Sequence, residues 1–150
     1  MKSPNFFLFS LLWLMISCQD QEDALQITKL TSPAGVNSEL PNLFTNAKGE
    51  IYLSWVDQKS TSSRLLYSKL KDGQWQPAQI ISEGNNWFVN WADFPSLIAS
   101  DDFMAAHWLQ KSAEGTYDYD VHIATSKDGK TWSESFKPYQ DTIKAEHGFV

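Results

Sequence analysis

Three acidic residues recur at nearly constant spacing along the chain. Glu39, Asp93 and Glu146 are 54 and 53 residues apart, and each lies two residues before a proline or glycine. If the chain is built from repeats around an axis, equivalent positions converge and these carboxylates meet. Carboxylates held close together raise one another's pKa, which suits acid/base catalysis near neutral pH. We therefore take Asp93 and Glu146 as the candidate catalytic pair and Glu39 as a candidate ligand-binding residue. The alternative is that all three cap strand starts in solvent.

Aromatic and polar residues flank these acids. The stretch "NNWFVNWAD" (85–93) contains Trp91, "EGTYDYD" (114–120) contains Tyr117 and Asp118, and His147 follows Glu146 directly. Aromatic side chains beside carboxylates suit stacking against a sugar ring and hydrogen bonding to its hydroxyls, although the aromatic residues could instead pack over a sheet edge. The histidines at 107 and 122 lie in expected strands. No spacing of ligands predicts a metal site, and no glycine-rich phosphate loop occurs, so we expect no cofactor.

The sequence pattern predicts short strands for the segments that must position these residues. From residue 38 onward, alternating apolar and polar residues recur about every ten positions, which predicts an all-β meander. The two halves match at a spacing of 53 to 57 residues, and four strands per repeat are typical of a β-propeller. We expect strands at about 40–45, 50–56, 64–70, 75–81, 95–100, 102–110, 119–126 and 131–137. A complete two-sheet sandwich is the alternative.

In the propeller interpretation, residues 38–150 are the N-terminal part of a larger ring. The first blade is expected at about 38–82, the second at about 93–137, and the first strand of a third at 146–150. A stub of a third blade with exposed sheet flanks indicates a fragment. The residues that would complete the ring, and any nucleophile they carry, would follow Val150.

Each half also contains a short motif after its third strand. "SKDGKTW" (126–132) and the looser "SKLKDGQW" (68–75) resemble the Asp-box, or BNR repeat, of sialidases and related six-bladed propellers. The matching residues are Ser126, Asp128, Gly129 and Trp132, and in the looser copy Ser68, Asp72, Gly73 and Trp75. Asp-Gly between two strands favours a tight hairpin, and the carboxylate can accept bonds from the turn's own backbone. We therefore expect both aspartates to be structural rather than catalytic.

The resemblance implies a sialidase-like propeller that acts on or binds glycans, with exo-glycosidase activity as the enzymatic form. Sialidases hold the substrate carboxylate with arginines, one of them beside a proline of the first inner strand. Here that strand reads "ELPNL" (39–43), and the chain's single arginine, Arg64, begins a third strand. This departure argues against sialic acid as the substrate. The alternative function is a non-catalytic binding or scaffold module.

The N-terminus indicates export. Lys2 and the apolar run "FFLFSLLWLMI" (6–16) fit a signal peptide over 1–17, and Ser17-Cys18 resembles the lipobox of bacterial lipoproteins. Residues 18–37 would be a lipidated cysteine and an acidic tether, which would hold the protein at the outer membrane of a bacterial envelope. The acidic residues after the cysteine resemble a surface-export signal, so we expect exposure at the cell surface. An ordinary secretory signal is the alternative. A net charge of −6 argues against a nucleic-acid partner.

Overall fold

The computed structural model describes residues 25–140, and all regular structure in that range is β-strand. Predictions for 1–24 and 141–150, including Cys18, Glu146 and His147, lie outside the described residues. The strands are β1 (Ser38–Thr45), β2 (Ile51–Gln58), β3 (Ser63–Lys71), β4 (Gln74–Trp75), β5 (Gln79–Gly84), β6 (Ser96–Ala99), β7 (Met104–Lys111) and β8 (Tyr119–Ser126). Within 25–140, no helix is long and apolar enough to cross a membrane.

The first sheet is an antiparallel meander of β1, β2 and β3, with β4 and β5 both pairing along β3. β2 and β3 are joined over their whole length, from Ile51 opposite Leu70 to Gln58 opposite Ser63. β1 has a bulge between Glu39 and Asn42, where Leu40 has a φ of 53°. A proline at 41 cannot donate a ladder hydrogen bond, so the irregularity falls where pairing is already interrupted.

The second sheet has the order β6-β7-β8. The strand expected at 131–137 is present only as isolated bridges, Ser126 with Trp132 and Ile123 with Phe136. Between these bridges, the hydroxyl of Ser133 accepts a hydrogen bond from the backbone N–H of Thr125 at 3.1 Å. A side chain thus takes part of the role of the backbone ladder, and this segment does not become a continuous strand.

The two sheets pack face to face, and β1 and β2 contact β6. Their shared core is almost fully shielded from solvent and contains aromatic and aliphatic side chains from both sheets, including Val56, Leu65, Leu97 and Trp108. Burial of this apolar surface is the main force that holds the sheets together. Sheets joined in this way have the arrangement expected of neighbouring propeller blades.

The second sheet is also apolar on its other face. Leu109, Tyr119 and Val121 form a separate buried cluster there, while Ile98 and Phe136 are about half exposed. A two-sheet sandwich would present a polar outer face at this place. A sheet with two apolar faces is instead typical of a propeller blade, which lies between two others.

Candidate functional site

The candidate site lies at the end of the sheets where β1 and β6 begin. Residues 84–95, which connect the sheets, run along this end of the second sheet. The backbone N–H of Phe88 donates to the carbonyl of Leu109 at 3.0 Å, and that of Lys111 donates to Asn86 at 2.7 Å. β6 pairs only with the first half of β7. The connecting segment forms hydrogen bonds with the second half of β7 and so continues the ladder there. The connecting segment is therefore held by backbone bonds.

Phe88 brings the two aromatic stretches together. Its ring stacks on buried Tyr119 with centroids 4.4 Å apart and meets Tyr117 edge-on at 6.1 Å. The ammonium group of Lys111 lies 5.6 Å from the Phe88 centroid and donates to the carbonyl of Thr116 at 3.0 Å. Trp91, on the same connecting segment, is 84% exposed. The structure thus joins Tyr117 to the connecting segment and leaves Trp91 accessible to a ligand.

Asp93, a candidate catalytic acid, and Asp118, a candidate ligand-binding residue, are each held by their own loop. The side-chain amide of Asn90 donates to Asp93 at 2.8 Å, and the Asn90 oxygen accepts from the backbone N–H of Asp93 at 3.1 Å. The backbone N–H of Gly115 donates to Asp118 at 3.0 Å. Any side chain at 115 would collide with this carboxylate, since a Cβ there would lie 2.6 Å from its oxygen. Each carboxylate therefore accepts a hydrogen bond from a neutral donor of its own loop.

Glu39 lies on the first sheet. Its carboxylate accepts a hydrogen bond from the Gln58 side chain, and it lines a cleft of about 360 Å³ together with Pro41 and Trp55. Its expected partner Glu146 is outside the described residues, as is His147. The ring of carboxylates therefore stays a prediction.

A polar cluster near the start of β1 was missed from the sequence. Asp57 accepts hydrogen bonds from the hydroxyl of Ser38 at 2.6 Å, the indole of Trp55 at 3.0 Å and the guanidinium of Arg64 at 3.0 Å. The arginine and its carboxylate face each other across β2 and β3. Arg64 is thus committed to an internal ion pair. Only the pairing register reveals this, because the two residues are separated by a polar loop in sequence.

The Asp-Gly motifs lie at the other end of the sheets. Asp128 accepts hydrogen bonds from the backbone N–H groups of Lys130 at 2.8 Å and Thr131 at 2.7 Å, and Ser126 donates to it at 3.1 Å. The hydroxyl of Tyr67, on β3, donates to the carbonyl of Gly129 at 3.0 Å. The Asp128 loop (126–132) thus fixes its own turn and contacts the first sheet.

The looser copy is a different turn. Asp72 and Gly73 both have positive φ, 50° and 73°, and Lys71 pairs with Gln74 around them. This is the geometry of a two-residue primed hairpin, for which Asp-Gly is well suited. The hydroxyl of Ser68 donates to the carbonyl of Gln76 at 2.6 Å rather than to the aspartate.

The two described histidines are part of the packed structure. Nδ1 of His107 lies 3.0 Å from the Ser96 hydroxyl, and Nδ1 of His122 lies 3.1 Å from that of Ser135. Burial lowers the pKa of both imidazoles, which favours their neutral forms. In the part of the chain that the structure describes, no group of three potential ligand side chains could hold a metal ion.

The charge of Asp128 should affect stability in acid. Backbone hydrogen bonds from Thr131 and Lys130 lower its pKa to about 2. Because the folded pKa is below the unfolded value of about 4, these bonds stabilise the protein above that pH and are lost progressively as pH falls towards 2. We expect Asp128→Asn to reduce the acid dependence of stability, measured as the urea midpoint between pH 2 and 5.

Glu50 provides an independent reference for that experiment. Hydrogen bonds from Lys69, Asn46 and Tyr52 lower its pKa to about 2 as well. Glu50→Gln should therefore reduce the same acid dependence separately, and the double variant should reduce it further. An Asp128→Asn profile that parallels the wild type would show that the loop bonds do not depend on the carboxylate's charge.

Comparison with known proteins identifies the architecture. No family model and no curated protein matches the chain. Among solved structures, an α-L-arabinanase from Penicillium chrysogenum, complexed with arabinobiose, superimposes with a TM-score of 0.52 at 16% identity. The match covers 69% of this chain and 34% of that one, so the chain corresponds to about a third of the arabinanase's length. The similarity confirms an all-β, propeller-type fold.

Proposed function

We propose that this chain forms part of a glycan-acting propeller, with its ligand at the end where β1 and β6 begin. The observation that carries the proposal is the contact between Phe88 and Tyr117, which joins two loops that also hold Asp93 and Asp118. Exposed Trp91 adds a further aromatic surface. Aromatic faces and carboxylates together suit binding of a hydroxylated ring. The arabinanase similarity supports the proposal because that protein was solved with a disaccharide.

The enzymatic form of the proposal is glycoside hydrolysis. Hydrolysis of a glycosidic bond generally uses two carboxyl groups, one as acid and one as base or nucleophile. Asp93 and Glu146 are the proposed pair, and Glu39 and His147 would contact the ligand. The carboxylate-centred hydrogen bonds of the Asp128 loop support the Asp-box relationship, which places this loop in a structural role away from the ligand.

A non-catalytic binding module is the second candidate. It is favoured by the hydrogen bonds that tie Asp93 and Asp118 to neutral groups of their own loops. In that role the carboxylates hold the loops, and the aromatic side chains provide the affinity. The two candidates differ in one respect that can be measured, namely turnover.

Turnover is tested with the full-length protein on arabinobiose, other neutral glycosides and a sialoside. If Asp93 is the general acid or base, Asp93→Asn should lower kcat by at least about a hundredfold, as for other removed acid/base groups. Asp101→Asn is the matched control, because Asp101 is an exposed aspartate at the other end of the same sheet, paired with Lys48. Binding without cleavage would favour the second candidate, and sialoside cleavage would contradict our expectation about substrate.

We also propose that the protein is exported and lipid-anchored in the bacterial envelope through Cys18. Replacing the thiol removes the acylation site, so Cys18→Ser should release the protein from the membrane fraction. Fractionation followed by immunoblotting measures this, with the wild type as reference. Unchanged membrane retention of the variant would contradict the anchor.

A further inference from the structure

A second cleft, with a mostly polar lining, lies at the same end of the first sheet. It has a volume of about 460 Å³, and its lining includes the turn between β2 and β3 and the start of the connecting segment. We call it the Trp87 cleft, and the residues of interest are Ser60, Thr61, Ser63, Asn85 and Trp87. Its volume is within the range of about 300–1,000 Å³ that is typical of small-ligand sites.

The aromatic wall of this cleft is held in place from two sides. The indole of Trp87 stacks on buried Trp108, with centroids 5.2 Å apart and planes 23° from parallel. The Trp87 backbone forms a bridge with Gln110. The absence of a side chain at Gly84 makes room for the indole, since a Cβ there would lie 2.4 Å from Nε1. A half-buried indole fixed in this way needs little reorganisation to receive a ligand.

The opposite wall is also fixed by contacts of its own. The backbone N–H of Lys59 donates to the carbonyl of Ser62 at 2.8 Å, which closes the turn. The Ser62 hydroxyl donates to Glu83 at 3.0 Å, and the Lys59 ammonium lies 3.9 Å from the same carboxylate. These bonds tie the turn to the end of β5. The charged groups of Lys59 and Glu83 thus contact each other, and Ser60 and Thr61 are exposed beside the cleft.

The chemistry of the lining selects a class of ligand. Hydroxyl and carboxamide groups both donate and accept hydrogen bonds, as sugar hydroxyls do, and the indole offers an apolar surface for the C–H groups of a sugar ring. The lysine is balanced by Glu83, so an anionic ligand would gain little from it. We infer that the Trp87 cleft is a binding subsite for a neutral saccharide. This inference rests on the proposed function only in expecting a glycan at this end of the sheets.

The inference is tested by calorimetric titration of the full-length protein with arabinobiose, maltose and 3′-sialyllactose. Asn85→Ala and Thr61→Ala each remove a polar contact at an exposed position, and Trp87→Phe shortens the aromatic wall while keeping a ring on Trp108. Each variant should weaken binding of a neutral disaccharide by about 3- to 10-fold, the usual effect of one hydrogen bond or aromatic contact. Ser112→Ala, at an exposed position in the next loop, is the control and should have no effect.

Trp91→Ala separates this inference from the proposed function. If the three cleft variants weaken neutral-saccharide binding and Trp91→Ala does not, the subsite stands and the proposed surface on the second sheet is wrong. If only Trp91→Ala weakens binding, the subsite is wrong and the proposed surface stands. Tighter binding of 3′-sialyllactose than of the neutral disaccharides would overturn the inference, as would absence of binding to either neutral disaccharide. The hydrolysis assay tests the enzymatic form of the proposed function independently.

Discussion

Gly129→Ala is expected to lower the free energy of unfolding by about 2–4 kcal/mol. Gly129 has a φ of 70°, a conformation that disfavours a side chain. A Cβ at this position would also lie 2.2 Å from the Tyr67 hydroxyl and 3.0 Å from the sulfur of Met104. The added methyl group therefore strains the backbone and separates the Asp128 loop from the first sheet. Urea denaturation monitored by tryptophan fluorescence measures the loss.

Gly49→Ala is the matched control for this substitution. Gly49 has a similar φ of 77°, but a Cβ there would have no atom within 4 Å. Gly49→Ala should lower the free energy of unfolding only through backbone strain, by about 1–2 kcal/mol. The difference between the two variants isolates the contact with Tyr67. Equal destabilisation by both variants would show that the Asp128 loop is not packed against the first sheet.

Trp108→Ala is expected to cost about 3–5 kcal/mol, the usual range for removal of a buried large aromatic side chain. Trp108 is 2% exposed and belongs to the core shared by the two sheets. It also supports the stacked indole of Trp87 at 5.2 Å. The substitution should therefore both lower the urea midpoint and weaken neutral-saccharide binding in the Trp87 cleft.

Tyr117→Ala serves as the reference for Trp108→Ala. The side chain of Tyr117 is 67% exposed and meets the Phe88 ring edge-on, so its removal should change stability by at most about 0.5 kcal/mol. Retention of near-native stability by Trp108→Ala would mean that the sheets do not share a continuous core. Tryptophan fluorescence is unsuitable for this variant, and circular dichroism should be used instead.

The repeat in the sequence was sufficient to predict the fold class, which the arabinanase similarity confirms. The different turns of the two Asp-Gly motifs could not be predicted from the motifs alone. Leu70 and Lys71, inserted in the first copy, extend β3 and leave Asp72 in a two-residue turn. In the second copy β8 ends at Ser126, and Asp128 is free to accept bonds from the loop backbone. The two similar sequences thus form different turns, because the length of the preceding strand decides which residues remain in the loop.

The candidate site could be predicted only in part. The exposed aromatic side chain of Trp91 and the acid at Asp93 lie in a connecting loop, as the strand pattern indicated. The pairing of Arg64 with Asp57 depends on the register of two strands, and the Trp87 cleft depends on how a turn and a loop meet. The run "KSTSSR" was a usable signal, since four consecutive hydroxyl residues are more than a short turn requires.

The hydrogen bond between Tyr67 and Gly129 joins residues 62 positions apart in the chain. The ladders of the first sheet, in contrast, connect residues that are close in sequence, and contacts of that kind form first. During synthesis on the ribosome, the first sheet can therefore be complete before the Asp128 loop emerges. The loop then meets a surface that is already formed, so the order of translation is also an order of assembly for the two sheets.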